Sequence, residues 1–154
     1  MKLGTSILIV SLNKEIGNVL SSQLANVLSM HFADCKELIE YDLFDSGAIL
    51  EKCGIEYLTK REKSVVRDIA TYENSVIFVE YDIYKNNYEL LNKISPSIYL
   101  KCPKRKLAKT EPISELDFEQ RDKFLQTSCD LTIEVASAGK SAFAKIIKEI
   151  KQKL

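Results

Sequence analysis

In an open parallel α/β sheet a ligand sits at the carboxyl ends of the strands, so the polar residues that follow each apolar run are the first place to look for chemistry. After Ser6 to Val10 come Ser11, Asn13, Lys14, Glu15 and Asn18. Asp34 and Lys36 stand near the next candidate strand, and Glu80, Tyr81 and Asp82 follow Val76 to Val79. Asp34 has the chemistry of a metal or hydroxyl ligand, but position 36 holds a lysine rather than a second carboxylate, so a polar residue at a strand end is the simpler reading. Asp34, Glu80 and Asp82 together could hold a cation. Lys14 and Lys36 are expected in the same mouth, where ion pairing accounts for these residues without any ligand. Arg121 is open to two readings, a ligand contact or a structural salt bridge. Glu62 beside Arg61 could line a pocket, although a charged pair on a helix is ordinarily solvated. Tyr81, Tyr84 and Tyr88 could offer an aromatic patch to a partner, yet the i, i+4 spacing of the last two fits packing along a helix face. The four cysteines, Cys35, Cys53, Cys102 and Cys129, form no C-x-x-C pair, and His31 is the only histidine. That set is too sparse for a zinc site and reads as reduced structural cysteines.

The elements that must position these residues are legible from hydrophobic period. Ser6 to Val10, Val76 to Val79 and Ile98 to Leu100 are nearly continuous apolar runs, as strands buried on both faces should be. Leu131, Ile133 and Val135 alternate with Thr132 and Glu134, which predicts a sheet edge with one wet face. Three helical stripes are expected to face inward. One is Ile16, Val19, Leu20, Leu24, Val27 and Leu28; another is Ile55, Leu58, Val65, Val66 and Ile69; the last is Phe143, Ile146, Ile147, Ile150 and Leu154. Lys145, Lys148, Lys151 and Lys153 lie on the opposite, solvated face of the last helix. Pro96, Pro103 and Pro112 all fall between elements. The β-α alternation predicts one domain over residues 1–154, a three-layer α/β/α fold with a parallel sheet between its helices.

Composition narrows the function classes. The 154 residues carry 22 lysines and arginines against 22 aspartates and glutamates, a formal net charge of zero, with 45% hydrophobic residues. A neutral chain has no electrostatic reason to take nucleic acid or an anionic membrane as its main partner. Its apolar runs are too short to span a bilayer, and the N-terminus shows no signal-peptide pattern, so a cytoplasmic protein is expected.

From residues 7 to 25 the chain reads Ile-Leu-Ile-Val-Ser-Leu-Asn-Lys-Glu-Ile-Gly-Asn-Val-Leu-Ser-Ser-Gln-Leu-Ala. This resembles the opening of the shikimate kinases: a strand, the loop G-x-x-G-x-G-K-[ST], and a helix ending in Leu-Ala. The likeness continues through Met30, Phe32, Asp34 and Glu37 to Glu40, and Gly54-Ile-Glu-Tyr-Leu-Thr-Lys-Arg-Glu62 is similar to the family's G-E-x-x-F-R-x-x-E helix. Ile98 to Lys101, Leu107 to Thr110, Gln120-Arg121 with Phe124-Leu125, and Asp130 to Ile133 resemble later family segments in the family's order. Together with the β-α alternation, the resemblance implies a P-loop, nucleoside-monophosphate-kinase-like fold whose five-stranded parallel sheet runs in the order 2-3-1-4-5.

It also implies what has changed at the site. In the family the loop backbone closes around phosphates, its lysine contacts the β- and γ-phosphates, and its Ser/Thr holds Mg²⁺. The three family glycines fall on Ser11, Lys14 and Ile16, the lysine on Gly17, and the metal-binding hydroxyl on Asn18. The D-x-D pair falls on Asp34 and Lys36, and the arginine that grips the substrate carboxylate falls on Thr59. The G-G-G after the third strand falls on Glu80, Tyr81 and Asp82. Asp34, Glu62 and Arg121 are the family positions that survive. Ten residues separate Thr110 from Arg121, too few for the arginine-bearing lid over ATP. Loss of one preorganised donor costs about 10²–10³ in rate, and here several are absent together. The expectation is a catalytically degenerate shikimate kinase-like protein with a degenerate Walker A loop. It would have no catalytic residue, no metal and no cofactor, and would act by binding an unidentified protein or small molecule. The alternatives are an active ATP- and Mg²⁺-dependent shikimate kinase or related small-molecule kinase, or a nucleotide-binding module keeping an adenine contact near Lys109. Opposite charges at adjacent strand ends further predict that Lys36 pairs with Glu80 or Asp82 and plugs the former substrate site.

Overall fold

The computed structural model describes residues 6–43, 46–107 and 113–153. Five strands form one parallel sheet: β1 (Ile7–Ser11), β2 (His31–Asp34), β3 (Ser75–Glu80), β4 (Ser97–Lys101) and β5 (Leu131–Glu134). Their order is β2-β3-β1-β4-β5, so the central strand is the first in sequence. Between them run α1 (Lys14–Leu28), α2 (Cys35–Leu43), α3 (Ser46–Ile69), α4 (Tyr81–Asn86), α5 (Tyr88–Leu91), α6 (Lys104–Leu107), α7 (Glu115–Ser128) and, after β5, α8 (Lys140–Lys153).

Period-two alternation along the central strands sorts their side chains into two cores. Ile7, Ile9, Val76, Phe78, Ile98 and Leu100 face α1 and α8, where Leu20, Leu24, Ile146 and Ile150 cover them. Leu8, Val10, Ile77, Val79 and Tyr99 point the other way, onto Val66 and Ile69 of α3, Tyr84 of α4 and Leu125 of α7. Each such side chain fully withdrawn from water contributes about 1.5–3 kcal/mol, so the apolar strands need covering on both faces. At the edge, Ile133 is buried while Glu134 is exposed, the wet face that its alternation predicts.

Several stripe residues lie outside these cores. Val27 is 56% exposed and Val19 is at the surface, because the sheet covers only part of the α1 circumference. Ile55 is 70% exposed. It follows Gly54, whose φ of 83° and ψ of 167° interrupt α3 and redirect the chain at that point. Leu154, Pro112 and the side chain of Cys53 lie outside the described residues.

The register sets the site. β1 pairs with β3 from Ile7 opposite Val76 to Ser11 opposite Glu80, and β2 pairs with β3 so that Asp34 stands opposite Phe78. The polar residues at the carboxyl ends therefore converge along one edge of the sheet.

Candidate functional site

The β1–α1 turn is held by its own side chains. The Ser11 hydroxyl donates to the Leu100 carbonyl at 3.0 Å and accepts from the Asn13 N–H at 3.1 Å. The Asn13 carboxamide oxygen caps α1 by accepting from the Ile16 N–H at 2.9 Å, and the Gly17 N–H bonds the Asn13 carbonyl at 3.0 Å. Three backbone donors of the turn are thus already satisfied internally. Ile16 is buried in the core beneath α1. Gly17 is packed tightly: a Cβ at this position would fall 2.6 Å from Phe78 Cζ and 3.0 Å from Ser11 Cβ. Phe78 is 1% exposed, so its ring fills the space into which any side chain at 17 would begin.

Next along α1, the Asn18 carboxamide nitrogen donates to Asp34 Oδ2 at 2.6 Å. Asp34 Oδ1 accepts from the Lys36 and Glu37 N–H groups at 3.0 and 3.3 Å, satisfying the first turn of α2. The carboxylate is therefore a helix cap joined to α1, the structural one of its two readings. Among the described residues no group of three His, Cys, Asp or Glu side chains is placed to hold a metal, and an Asn18 amide aimed at Asp34 presents a donor where a cation would need an acceptor.

At the end of β3, Glu80 is the hub. Its side chain is 13% exposed and its Oε2 lies 3.5 Å from the Lys14 ammonium and 3.8 Å from that of Lys36. Lys36 also lies 4.0 Å from Glu40. Burial pushes the Glu80 carboxyl above the ordinary carboxylate range, and the two ammonium groups only partly counter it. The expected pairing of Lys36 with Glu80 is present, but it does not plug the site. A cavity of about 330 Å³ remains open beside it, with Lys14, Lys36, Thr59, Glu62, Glu80 and Asp82 among its walls. Both lysines reach Glu80 from the rim, roughly half-exposed, and leave the space beyond unfilled. Thr59 spends its hydroxyl on the Ile55 carbonyl at 2.9 Å, and Glu62 accepts from the Asn87 amide at 3.4 Å.

Arg121 lies elsewhere. It comes from α7 and stacks over the Tyr81 ring at 4.8 Å, while Tyr81 meets Phe124 edge-on at 6.2 Å. Among the described residues Arg121 forms this cation–π stack and no salt bridge. Arg121 and Asp82 line a second cavity of about 250 Å³. Asp82 belongs to the walls of both, so Thr59 and Glu62 face one space and Arg121 the other. Tyr84 and Tyr88 pack at 5.6 Å and both lean on Phe124, filling the core side of α4. Arg61, rather than lining a pocket, forms a bidentate pair with Asp42 at 2.8 Å. The buried thiols of Cys35, Cys102 and Cys129 are pushed above their ordinary range by desolvation, which disfavours thiolate chemistry. Lys109 and Thr110 lie outside the described residues. Sequence reasoning missed Phe78, whose only signal was a glycine inside a helix packed on β3, and it missed Asn87, for which the sequence carries no signal.

A five-stranded parallel sheet in this order, with a strand-turn-helix at its centre and helices on both faces, is the P-loop kinase-like fold. A family profile described as shikimate kinase matches residues 18–151, and the chain belongs to the shikimate kinase family. Among solved structures it is similar to the shikimate kinase from Acinetobacter baumannii in complex with shikimate. That likeness has 22% identity and a TM-score of 0.70, over 99% of this chain and 96% of that one. It is similar to the enzyme from Aquifex aeolicus at 19% identity, 96% of each chain and a TM-score of 0.76. A third likeness is to the enzyme from Bacteroides thetaiotaomicron, at 16% identity over 96% of this chain and 97% of that one, with a TM-score of 0.67. These likenesses show the fold. No curated protein matches the sequence. Among the described residues no helix is long and apolar enough to cross a membrane.

Proposed function

We propose that this chain is a catalytically degenerate member of the shikimate kinase family, one that transfers no phosphoryl group and acts in the cytoplasm by binding a protein or a small molecule. The observation that carries this reading is the contact between Gly17 and Phe78. The resemblance assigns the phosphate-binding lysine to position 17, and there the Phe78 ring leaves no room even for a β-carbon. Three further features support it. The Asn13, Ile16 and Gly17 N–H groups are spent within the turn. Asn18 directs its amide to Asp34 instead of offering a hydroxyl to Mg²⁺. Glu80 brings a carboxylate into the mouth where phosphates would have to approach. The family match itself begins at residue 18, the last position of this loop.

The reading needs no ATP, Mg²⁺ or other cofactor. A second reading, an active shikimate kinase or related small-molecule kinase, draws on Glu62 and Arg121, which stand at family substrate positions. The two face separate cavities on either side of Asp82, which counts against a joint grip on one substrate. A coupled ADP-release assay with ATP, Mg²⁺ and shikimate separates the readings. The expected result is no turnover above the no-enzyme background. Turnover of about 1–10³ s⁻¹, the range of working enzymes, overturns the proposal.

A further inference from the structure

The cavity beside Glu80 has a neighbour. On one side Thr59, Glu62 and Asp82 stand in the wall of the space of about 330 Å³. On the other, Asn18, Asp34 and Phe78 line a space of about 430 Å³. Four residues belong to both walls: Lys14, Lys36, Glu40 and Glu80. They are the same four that ion pairs join into a chain. Lys14 lies 3.5 Å and Lys36 3.8 Å from Glu80 Oε2, and Lys36 reaches Glu40 at 4.0 Å. The partition between the two spaces is therefore made of charged side chains drawn from α1, α2 and the end of β3.

Such a partition is easily unmade. Lys14, Lys36 and Glu40 are each roughly half-exposed, and ion pairs at that exposure contribute little individually. Only the Glu80 side chain is largely withdrawn from water, and both ammonium groups hold to one of its oxygens. Burial sets the Glu80 carboxyl above the ordinary carboxylate range, with Lys36 and Lys14 opposing the rise and Asp34 of β2 adding to it. The other charged groups around it are Glu40 of α2, Glu62 of α3 and Asp82 of α4 in one wall, with Glu15 and Glu37 in the other. All are carboxylates, which favour a proton on Glu80. Once Glu80 is neutral, Lys14 and Lys36 are like charges without their shared counter-ion, and they separate.

We propose that the Lys14–Glu80–Lys36–Glu40 chain is a gate between the two spaces, closed at neutral pH and low salt and opened by acid or by salt. Closed, it confines a bound molecule to one side. Open, it joins the spaces into one trough from Thr59 to Asn18, which admits a longer ligand. The inference rests on reading the strand-end cavity as the binding space, and it adds how that space is regulated.

The test follows the lysine side chains of the full chain by NMR relaxation of their ε-methylene groups through a pH titration. At pH 7 and low salt, Lys14 and Lys36 should be more restricted than Lys148, a solvent-exposed lysine of α8. Both should loosen together on acidification, with one midpoint above the roughly 4.3 of an exposed glutamate. The Thr59 and Asn18 signals, one on each side, should shift with that midpoint. Salt at about 1 M, where screening reaches about 3 Å, should loosen both lysines at pH 7. In Glu80→Gln both should be loose at pH 7 and the midpoint should be absent. Should that variant fold poorly, Lys36→Met gives a second check. It should move the Lys14 midpoint upward, because Glu80 has then lost a cation that opposes its protonation. Lysines as mobile as Lys148 at pH 7 overturn the proposal, as do separate midpoints for Lys14 and Lys36. A midpoint that persists in Glu80→Gln, or one unmoved by Lys36→Met, overturns it as well. No nucleotide enters the experiment, so its failure is distinct from turnover in the ADP-release assay.

Discussion

Ser11 and Glu80 stand opposite each other at the ends of adjacent strands, yet the two junctions they begin are finished in different ways. Behind Ser11 the β1–α1 turn is closed by neutral groups. A serine and an asparagine satisfy its backbone, Ile16 joins the core, and the Phe78 ring presses on Gly17. Behind Glu80 the β3–α4 junction is held by charge, with one partly buried carboxylate shared by two half-exposed ammonium groups and open space on both sides of Asp82. A site closed by packing cannot be reopened by a single side chain, because a new atom must displace a ring inside a dense core. A site closed by ion pairs at its rim is screened by salt and tuned by pH, and it leaves its cavity in place.

The largest expected effect is at the packed junction. Phe78→Ala should cost about 3–5 kcal/mol in a urea melt, the usual cost of removing a buried aromatic side chain. Gly17→Ala is the sharper test, since alanine is favoured over glycine inside a helix by about 1 kcal/mol. Against that preference it should destabilise by about 1–3 kcal/mol through overpacking on Phe78. The double substitution should cost less than the sum of the two, because the cavity left by the ring accepts the new methyl group. A Gly17→Ala variant more stable than the parent breaks the comparison at its stronger side.

At the charged junction the effects are smaller. Arg121→Gln should cost about 0.5–1 kcal/mol through loss of the stack on Tyr81. If Arg121 is only solvated, the melt will not move. Glu80→Gln should show a pH signature. Burial raises the Glu80 carboxyl above its unfolded value, so the folded chain binds more protons in that window and loses stability as pH rises through it. Glutamine does not titrate. The variant should therefore melt at a slightly higher temperature than the parent at pH 7, and the gain should vanish as pH falls below the ordinary carboxylate range. A gain that grows on acidification contradicts the burial argument.

The difference between the junctions also explains what the sequence disclosed. The parallel sheet was legible because the runs around Ile9, Val79 and Tyr99 are apolar without interruption, as strands covered on both faces require, and its order because the family-like segments follow one another along the chain. The Lys36–Glu80 pair was legible because opposite charges replace family residues at the ends of strands that must be neighbours. The open cavity beside it was not, since how far a lysine reaches into a cleft depends on its rotamer and on water. The wall made by Phe78 was hidden for another reason: it depends on which face of β3 meets α1, a relation between residues far apart in sequence. Val27 and Ile55 were misplaced inward because period alone does not say how wide the covering sheet is or that Gly54 breaks the helix. The stack of Arg121 on Tyr81 was not legible either, because it depends on the tilt of α7 across the sheet.

The central claim is that packing around Gly17 has closed the phosphate loop. Isothermal titration of the full chain with ATP and Mg²⁺ tests it most directly. The account predicts no saturable heat at nucleotide concentrations up to about 1 mM. Saturable binding below that concentration, abolished by Lys14→Ala, would place phosphates on the β1–α1 turn and contradict it.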